Sequence, residues 1–197
     1  MMQNNIKIAI TGGICSGKST VAKIIKEQGY KVFSCDEIYR ELLNDANFVN
    51  VLETEFSGVK NSDGTLNRVK LSGIVFNDGN KLKKLNSITH PQIMRMAMEL
   101  MSGNGIFFCE VPLLFEGGFE GLFDNVIVVL RDKNERVREL TLRSKIDKNQ
   151  AILRINSQFN YTNCGFVEYY VIHNDANLTE LHENTLGVLT KIVKDYN

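Results

Sequence analysis

Near the amino terminus, "GGICSGKS" satisfies the spacing G-x-x-x-x-G-K-[ST] through Gly12, Gly17, Lys18 and Ser19. The chemistry this suits is the holding of phosphate. Glycines let the backbone curl so that successive N–H groups point inward, and a helix starting directly afterwards adds the partial positive charge of its first turn. In such a cradle the loop residues Gly13, Cys15, Ser16, Gly17 and Thr20 surround the phosphates. Lys18 would reach the β- and γ-phosphates, and the Ser19 hydroxyl would coordinate Mg²⁺. The expected ligand is a nucleoside triphosphate, ATP with Mg²⁺. A second candidate is Asp36, in "FSCDEIYREL". A carboxylate at the carboxyl edge of an open α/β sheet can accept the proton of an incoming hydroxyl. The same residue also reads as the N-cap of a helix beginning at Glu37.

These residues need a sheet edge and a helix start to place them, and the sequence supplies both. Apolar runs at 6–10 ("IKIAI"), 30–34 ("YKVFS"), 105–110 ("GIFFCE"), 125–130 ("NVIVVL") and 169–172 ("YYVI") have the length and near-continuity of strands buried on both faces of a parallel sheet. Helical patterns alternate with them, which predicts an α/β fold. After the first run, "STVAKIIKEQG" places Val21, Ile24 and Ile25 on one helical face, with Gly29 as a C-terminal stop. About seventy residues separate the second and third runs and are mostly helical by period, so a helical subdomain over 37–100 is expected there. A second helical insertion is expected at 132–160.

Bulk properties narrow the function. Across 197 residues, 23 Lys and Arg balance 23 Asp and Glu, so no global field draws the chain to nucleic acid or anionic lipid. Cys15, Cys35, Cys109 and Cys164 show no C-x-x-C pairing, which favours a reducing cytosol and argues against a disulfide scaffold or structural metal. With no apolar run approaching the ~20 residues of a membrane span, a soluble cytoplasmic protein is expected. Its oligomeric state stays open, with a monomer favoured. A switch GTPase is disfavoured, because the nearest string to its guanine-reading N-K-x-D is "NKLK" at 80–83, which lacks the aspartate.

Taken in order, "TGGICSGKSTVA", "CDEIYREL", "DGTLNRVKL", "VFND", "LNSITHP", "VPLLFE" and "VIHN" resemble the dephospho-coenzyme A kinase family over about residues 6–175. The resemblance implies a P-loop NTPase fold: a five-stranded parallel sheet flanked by helices, with an inserted helical acceptor-binding domain and a lid, all within a single kinase domain, 1–197. It implies ATP-dependent phosphorylation of the ribose 3′-hydroxyl of dephospho-CoA. It assigns Asp36 to activating that hydroxyl, Arg40, Arg68 and His90 to the acceptor, Arg143 to the lid, and Asn174 to the surroundings of the adenine of ATP. The chain departs from the family pattern at Ser34 and Cys35, in place of the first two residues of D-A-D, at Cys15, in place of the commonest glycine, and at Glu139, where basic residues are frequent.

Weaker signals remain at the residue level. Between Arg131 and Arg154 there are eight basic and four acidic residues. The i,i+4 spacing of Asp132–Arg136 and Glu139–Arg143 is that of a solvated helix, and this ordinary pairing is the reading favoured for Arg136 and Arg138. His90 in "THPQI" reads equally as a turn residue or a phosphate contact, and Glu110 leans toward a strand-end carboxylate in water over a partner of Mg²⁺. The methionines of "MRMAMELM" read as packing, and Phe107, Phe108 and Phe115 read as core. Position at a helix N-terminus predicts a lowered thiol pKa for Cys15, and hence alkylation that bound ATP slows. Two rivals stand beside the kinase reading: phosphorylation of a nucleoside, nucleotide or sugar acid, and a nucleotide-binding module without catalysis.

Overall fold

The computed structural model describes residues 5–161, 166 and 168–196; Cys164 lies outside them. Five strands form one sheet: β1 (Asn5–Thr11), β2 (Lys31–Ser34), β3 (Gly105–Glu110), β4 (Asn125–Leu130) and β5 (Tyr170–His173). Their spatial order is β2-β3-β1-β4-β5, with β1 central and parallel to β3 and β4. The expected runs hold to within a residue or two, and β5 extends to His173 because that residue still pairs with Leu130. Helices connect the strands. Helix α1 (Lys18–Glu27) starts on Gly17, buries Val21, Ala22, Ile24 and Ile25, and ends before Gly29, whose φ of 88° takes the left-handed turn that glycine permits.

The chain divides into two compact units. One comprises the sheet and its helices: α1, α6 (Leu114–Gly117), α7 (Lys133–Ser144), α8 (Lys148–Asn156) and α9 (Leu178–Tyr196). Its core gathers Ile6, Ile8 and Ile10 of β1 with Ile24 and Ile25 of α1, Phe108, Ile127 and Val129 of the neighbouring strands, and Leu181, Leu189 and Ile192 of α9. Alternation is lost in β1 because both faces are covered, as the near-continuous apolar run required. The other unit, Ser34–Leu100, is helical. It contains α2 (Cys35–Leu42), α3 (Ala46–Glu55), α4 (Arg68–Val75) and α5 (Gly79–Leu100). Asp45 and Asn67 cap α3 and α4 by accepting from Phe48 N and Lys70 N.

Two local expectations are corrected here. The segment "THPQI" is no turn: α5 runs through Pro91, so His90 sits in mid-helix. Phe107 and Phe108 are buried as expected, but Phe115 is only partly so. Its ring lies among Phe159, Tyr161, Phe166 and Tyr169, with centroids 4.7–6.0 Å away. Met94 and Met101 are buried, in keeping with packing.

Candidate active site

Register builds the site. Ile10 pairs with Glu110 across β1 and β3, so the loop that leaves β1 starts beside the acid that ends β3. From the first turn of α1, the Ser19 hydroxyl donates to Glu110 Oε1 at 2.8 Å. Glu110 is therefore tied to the phosphate loop and is not simply a carboxylate in water, which corrects the sequence reading. A hydroxyl and a carboxylate oxygen, side by side at a helix N-terminus, are a hard-oxygen donor set that suits Mg²⁺, an ion that keeps several waters and borrows phosphate oxygens. No cluster of three or more His, Cys, Asp or Glu side chains fit for a metal occurs among the described residues.

The loop itself is held from several directions. Lys18, almost fully buried, lies across it and donates to the carbonyls of Gly12 and Gly13 at 2.9 and 3.0 Å. Ser16 N returns to Gly13 O, closing the turn. The three carbonyls that follow each accept from a side chain outside the loop: Ile14 O from Arg136 Nε (2.9 Å), Cys15 O from Arg131 Nη1 (3.3 Å) and Ser16 O from Asn174 Nδ2 (2.8 Å). Gly17 takes φ 102° and has Asn174 where a Cβ would stand, so both its conformation and its space demand glycine. Ser16 Oγ is buried without a hydrogen-bond partner.

Arg136 overturns its expected pairing. Asp132 uses its carboxylate to cap α7 at Asn134 N and Glu135 N, while Arg136 turns inward and is buried against the loop. Burial pushes its pKa below the ordinary arginine value. Arg138 keeps the expected solvated role, exposed and 3.9 Å from Glu135. Arg143 is exposed in the last turn of α7, near enough to Cys15 to act on its thiol.

Cys15 also departs from expectation. Its φ of 59° is left-handed, a conformation that costs a non-glycine residue about 1–2 kcal/mol. With Ile14, its side chain packs against the cluster of Val137, Leu140, Ala151 and Ile155 from α7 and α8. That burial raises the thiol pKa, against the opposing pull of Arg143, Lys18 and Arg131, where the helix N-terminus alone would lower it. The raised pKa leaves less thiolate at neutral pH. Alkylation of Cys15 is thus expected to be slower near neutrality than for an exposed thiol, and to accelerate as pH rises past the ordinary thiol value. Peptide mass spectrometry after iodoacetamide checks this, and rapid labelling at neutral pH would contradict the packing.

Sequence reasoning missed Arg131, Gln158 and Tyr161. Gln158 Oε1 accepts from Ile14 N at 2.7 Å, and the Tyr161 hydroxyl lies 3.3 Å from Thr11 Oγ1. Burial pushes Tyr161 up to about 12, so its hydroxyl keeps its proton. Phe159 N donates to Glu116 Oε1, fastening the "PLLFE" segment to the stretch that follows α8.

Within the helical unit, α2 starts at Cys35 with Ser34 as N-cap, so Asp36 is not the cap; its exposed carboxylate lies in the first turn. Arg40 is exposed one turn later. Arg68, the first residue of α4, is close enough to oppose the burial-driven rise of the Tyr39 pKa, which brings α4 near α2. His90 is half-buried, and desolvation holds its pKa below the ordinary value, so it is neutral at pH 7.

Comparison with known proteins agrees with this arrangement. The family model described as dephospho-CoA kinase matches residues 6–180. A dephospho-CoA kinase of Carboxydothermus hydrogenoformans is 33% identical over 191 residues, 93% of either chain. A crystal structure from Thermus thermophilus superposes with a TM-score of 0.79 at 32% identity, covering 95% of this chain and 97% of that one. A dephospho-CoA kinase from Campylobacter jejuni gives 0.71 at 27% identity, covering 96% and 98%. With a matching loop, sheet and helical unit along nearly its whole length, the chain belongs to the dephospho-CoA kinase family.

Proposed function

We propose that the protein transfers the γ-phosphoryl group of ATP to the ribose 3′-hydroxyl of dephospho-CoA, giving coenzyme A and ADP. The observation that carries this is the family match over residues 6–180, which takes in both the phosphate loop and the whole of Ser34–Leu100. In this reading Asp36 takes the proton of the 3′-hydroxyl as its oxygen attacks the γ-phosphorus, and the bond to the ADP oxygen breaks. Lys18 and Arg143 counter the charge of the transferring group. Ser19 and Glu110 would hold Mg²⁺, which when bound neutralises charge on the β- and γ-phosphates. The buried, unpartnered Ser16 Oγ and the inward-turned loop suit a polyanion. Residues 132–160 serve as a lid that excludes water from the reaction.

The acceptor falls to the helical unit. Arg40 and Arg68 suit the diphosphate of a nucleotide-like acceptor, since guanidinium donors pair with phosphate oxygens. His90, neutral at pH 7, would contribute hydrogen bonding and no charge. We assign the enzyme to the cytoplasm, on the scattered cysteines; no described helix is long and apolar enough to cross a membrane.

A side-by-side acceptor screen with ATP, read as ADP release, tests the reading. Dephospho-CoA should far exceed adenosine, AMP and gluconate in kcat/KM, and a faster AMP or sugar acid would overturn it. In the same assay Arg40→Ala should lower kcat/KM for dephospho-CoA by an amount equivalent to about 1.5–3 kcal/mol, the value of a charge-assisted contact. ATP binding should change little, and an equal loss toward ATP would move Arg40 out of the acceptor site.

A further inference from the structure

We propose that Arg136 is a positioning residue for nucleotide binding, holding the Ile14 carbonyl behind the phosphate loop so that the next amide, Cys15 N–H, faces the phosphates. The inference deepens the ATP-site reading and rests on it. In a trans peptide the C=O of one residue and the N–H of the next share a plane and point in opposite directions. Fixing Ile14 O on Arg136 Nε therefore fixes where Cys15 N–H points. The same logic applies at Ser16, whose carbonyl Asn174 holds, turning Gly17 N–H the other way.

Arg136 is the strongest of these anchors because it acts on both sides of one residue. Its Nη2 donates to Gln158 Oε1 at 3.3 Å, and that oxygen also accepts from Ile14 N at 2.7 Å. Both peptide groups that flank Ile14 are thereby locked through one buried guanidinium and one amide. Room for the guanidinium depends on Gly13, since any Cβ there would fall among its atoms. Gly13 is thus demanded by a side chain that enters from 123 positions along the sequence, in addition to any demand from the ligand. A cation fixed on the back of the loop also reinforces the positive field that its amides present to a polyanion.

The test compares Arg136→Met, which keeps the unbranched stem and removes every donor, with Arg136→Lys, which keeps the charge and loses the fork. ADP affinity is measured by calorimetry, and KM for ATP and for dephospho-CoA by steady-state assay, with thermal melts alongside. Arg136→Met should weaken ADP binding and raise KM for ATP by about 10–100-fold, with KM for dephospho-CoA held within about twofold. Arg136→Lys should fall between it and the parent. Gly13→Ala should produce the same ATP defect in the parent and add little in Arg136→Met, because the clash it creates is then already relieved. A folded Arg136→Met with ADP affinity within about threefold of the parent would overturn the proposal, as would equal losses toward both substrates. If Arg136→Met does not fold, Gln158→Leu, which removes the shared acceptor, is read by the same criteria. The ADP arm needs no acceptor, so failure of dephospho-CoA as a substrate for the parent would count against the activity reading alone.

Discussion

Lys18→Ala is expected to lose at least about 10³-fold in kcat/KM for ATP while the melting temperature stays near that of the parent. The size follows from removing a fixed positive charge beside a phosphoryl group whose oxygens carry the charge of the transition state. The fold should survive, because the ammonium's bonds to Gly12 O and Gly13 O lie within the loop itself. Coupled ADP release with dephospho-CoA gives the rate, and circular dichroism with a melt gives the fold. Near-parental turnover in a folded Lys18→Ala protein would remove the loop from the chemistry altogether.

Asp36→Asn is the second large effect. Asparagine keeps the shape and hydrogen bonding of the side chain but cannot take the proton of a hydroxyl, so kcat should drop by roughly 10²–10⁴. Stability should change little. Ser34 and not Asp36 occupies the N-cap of α2, so no cap is lost; what goes is the attraction of an exposed carboxylate to the first turn, about 0.3–1 kcal/mol at most. A large fall in stability with turnover preserved would make Asp36 a structural residue. The rate must be taken with acceptor saturating, since a higher KM alone would report lost binding and leave the base unproved.

What the sequence disclosed and what it hid divides along chain distance. The loop, its following helix and the stop at Gly29 are set by neighbours within a turn or two, and the residue types there suffice to name them. The strands announced themselves because burial on both faces leaves an uninterrupted apolar run, as in 125–130, where expectation and structure coincide. Strand order had no such local mark. Glu110 illustrates the cost: its meeting with Ser19 depends on β3 lying directly beside β1, a neighbour relation between residues 91 positions apart. Arg136 was misread for a related reason. Spacing offered Asp132 as a partner on the same helix, but Asp132 was committed to the cap, and the true partner was a carbonyl on a distant loop. The turn reading of His90 failed on local grounds instead, because a proline that usually ends a helix is carried inside α5.

The central place of β1 also sets a timetable for the newborn chain. Its partners begin at Gly105 and Asn125, opposite Asn5 and Ile8, so the first strand made must wait about one hundred residues for a neighbour. At a synthesis rate of about 5–20 residues per second, that interval lasts roughly 5–20 s. Through it Ile6, Ile8 and Ile10, all destined for the core, have no sheet to enter. Ser34–Leu100, by contrast, is one continuous and mostly helical stretch of chain, so every contact within it can form before β3 is made. A ribosome stalled before β3 would therefore carry a helical unit able to collapse and an orphaned, sticky strand upstream of it, which makes this stretch of translation the point at which the protein most depends on chaperones.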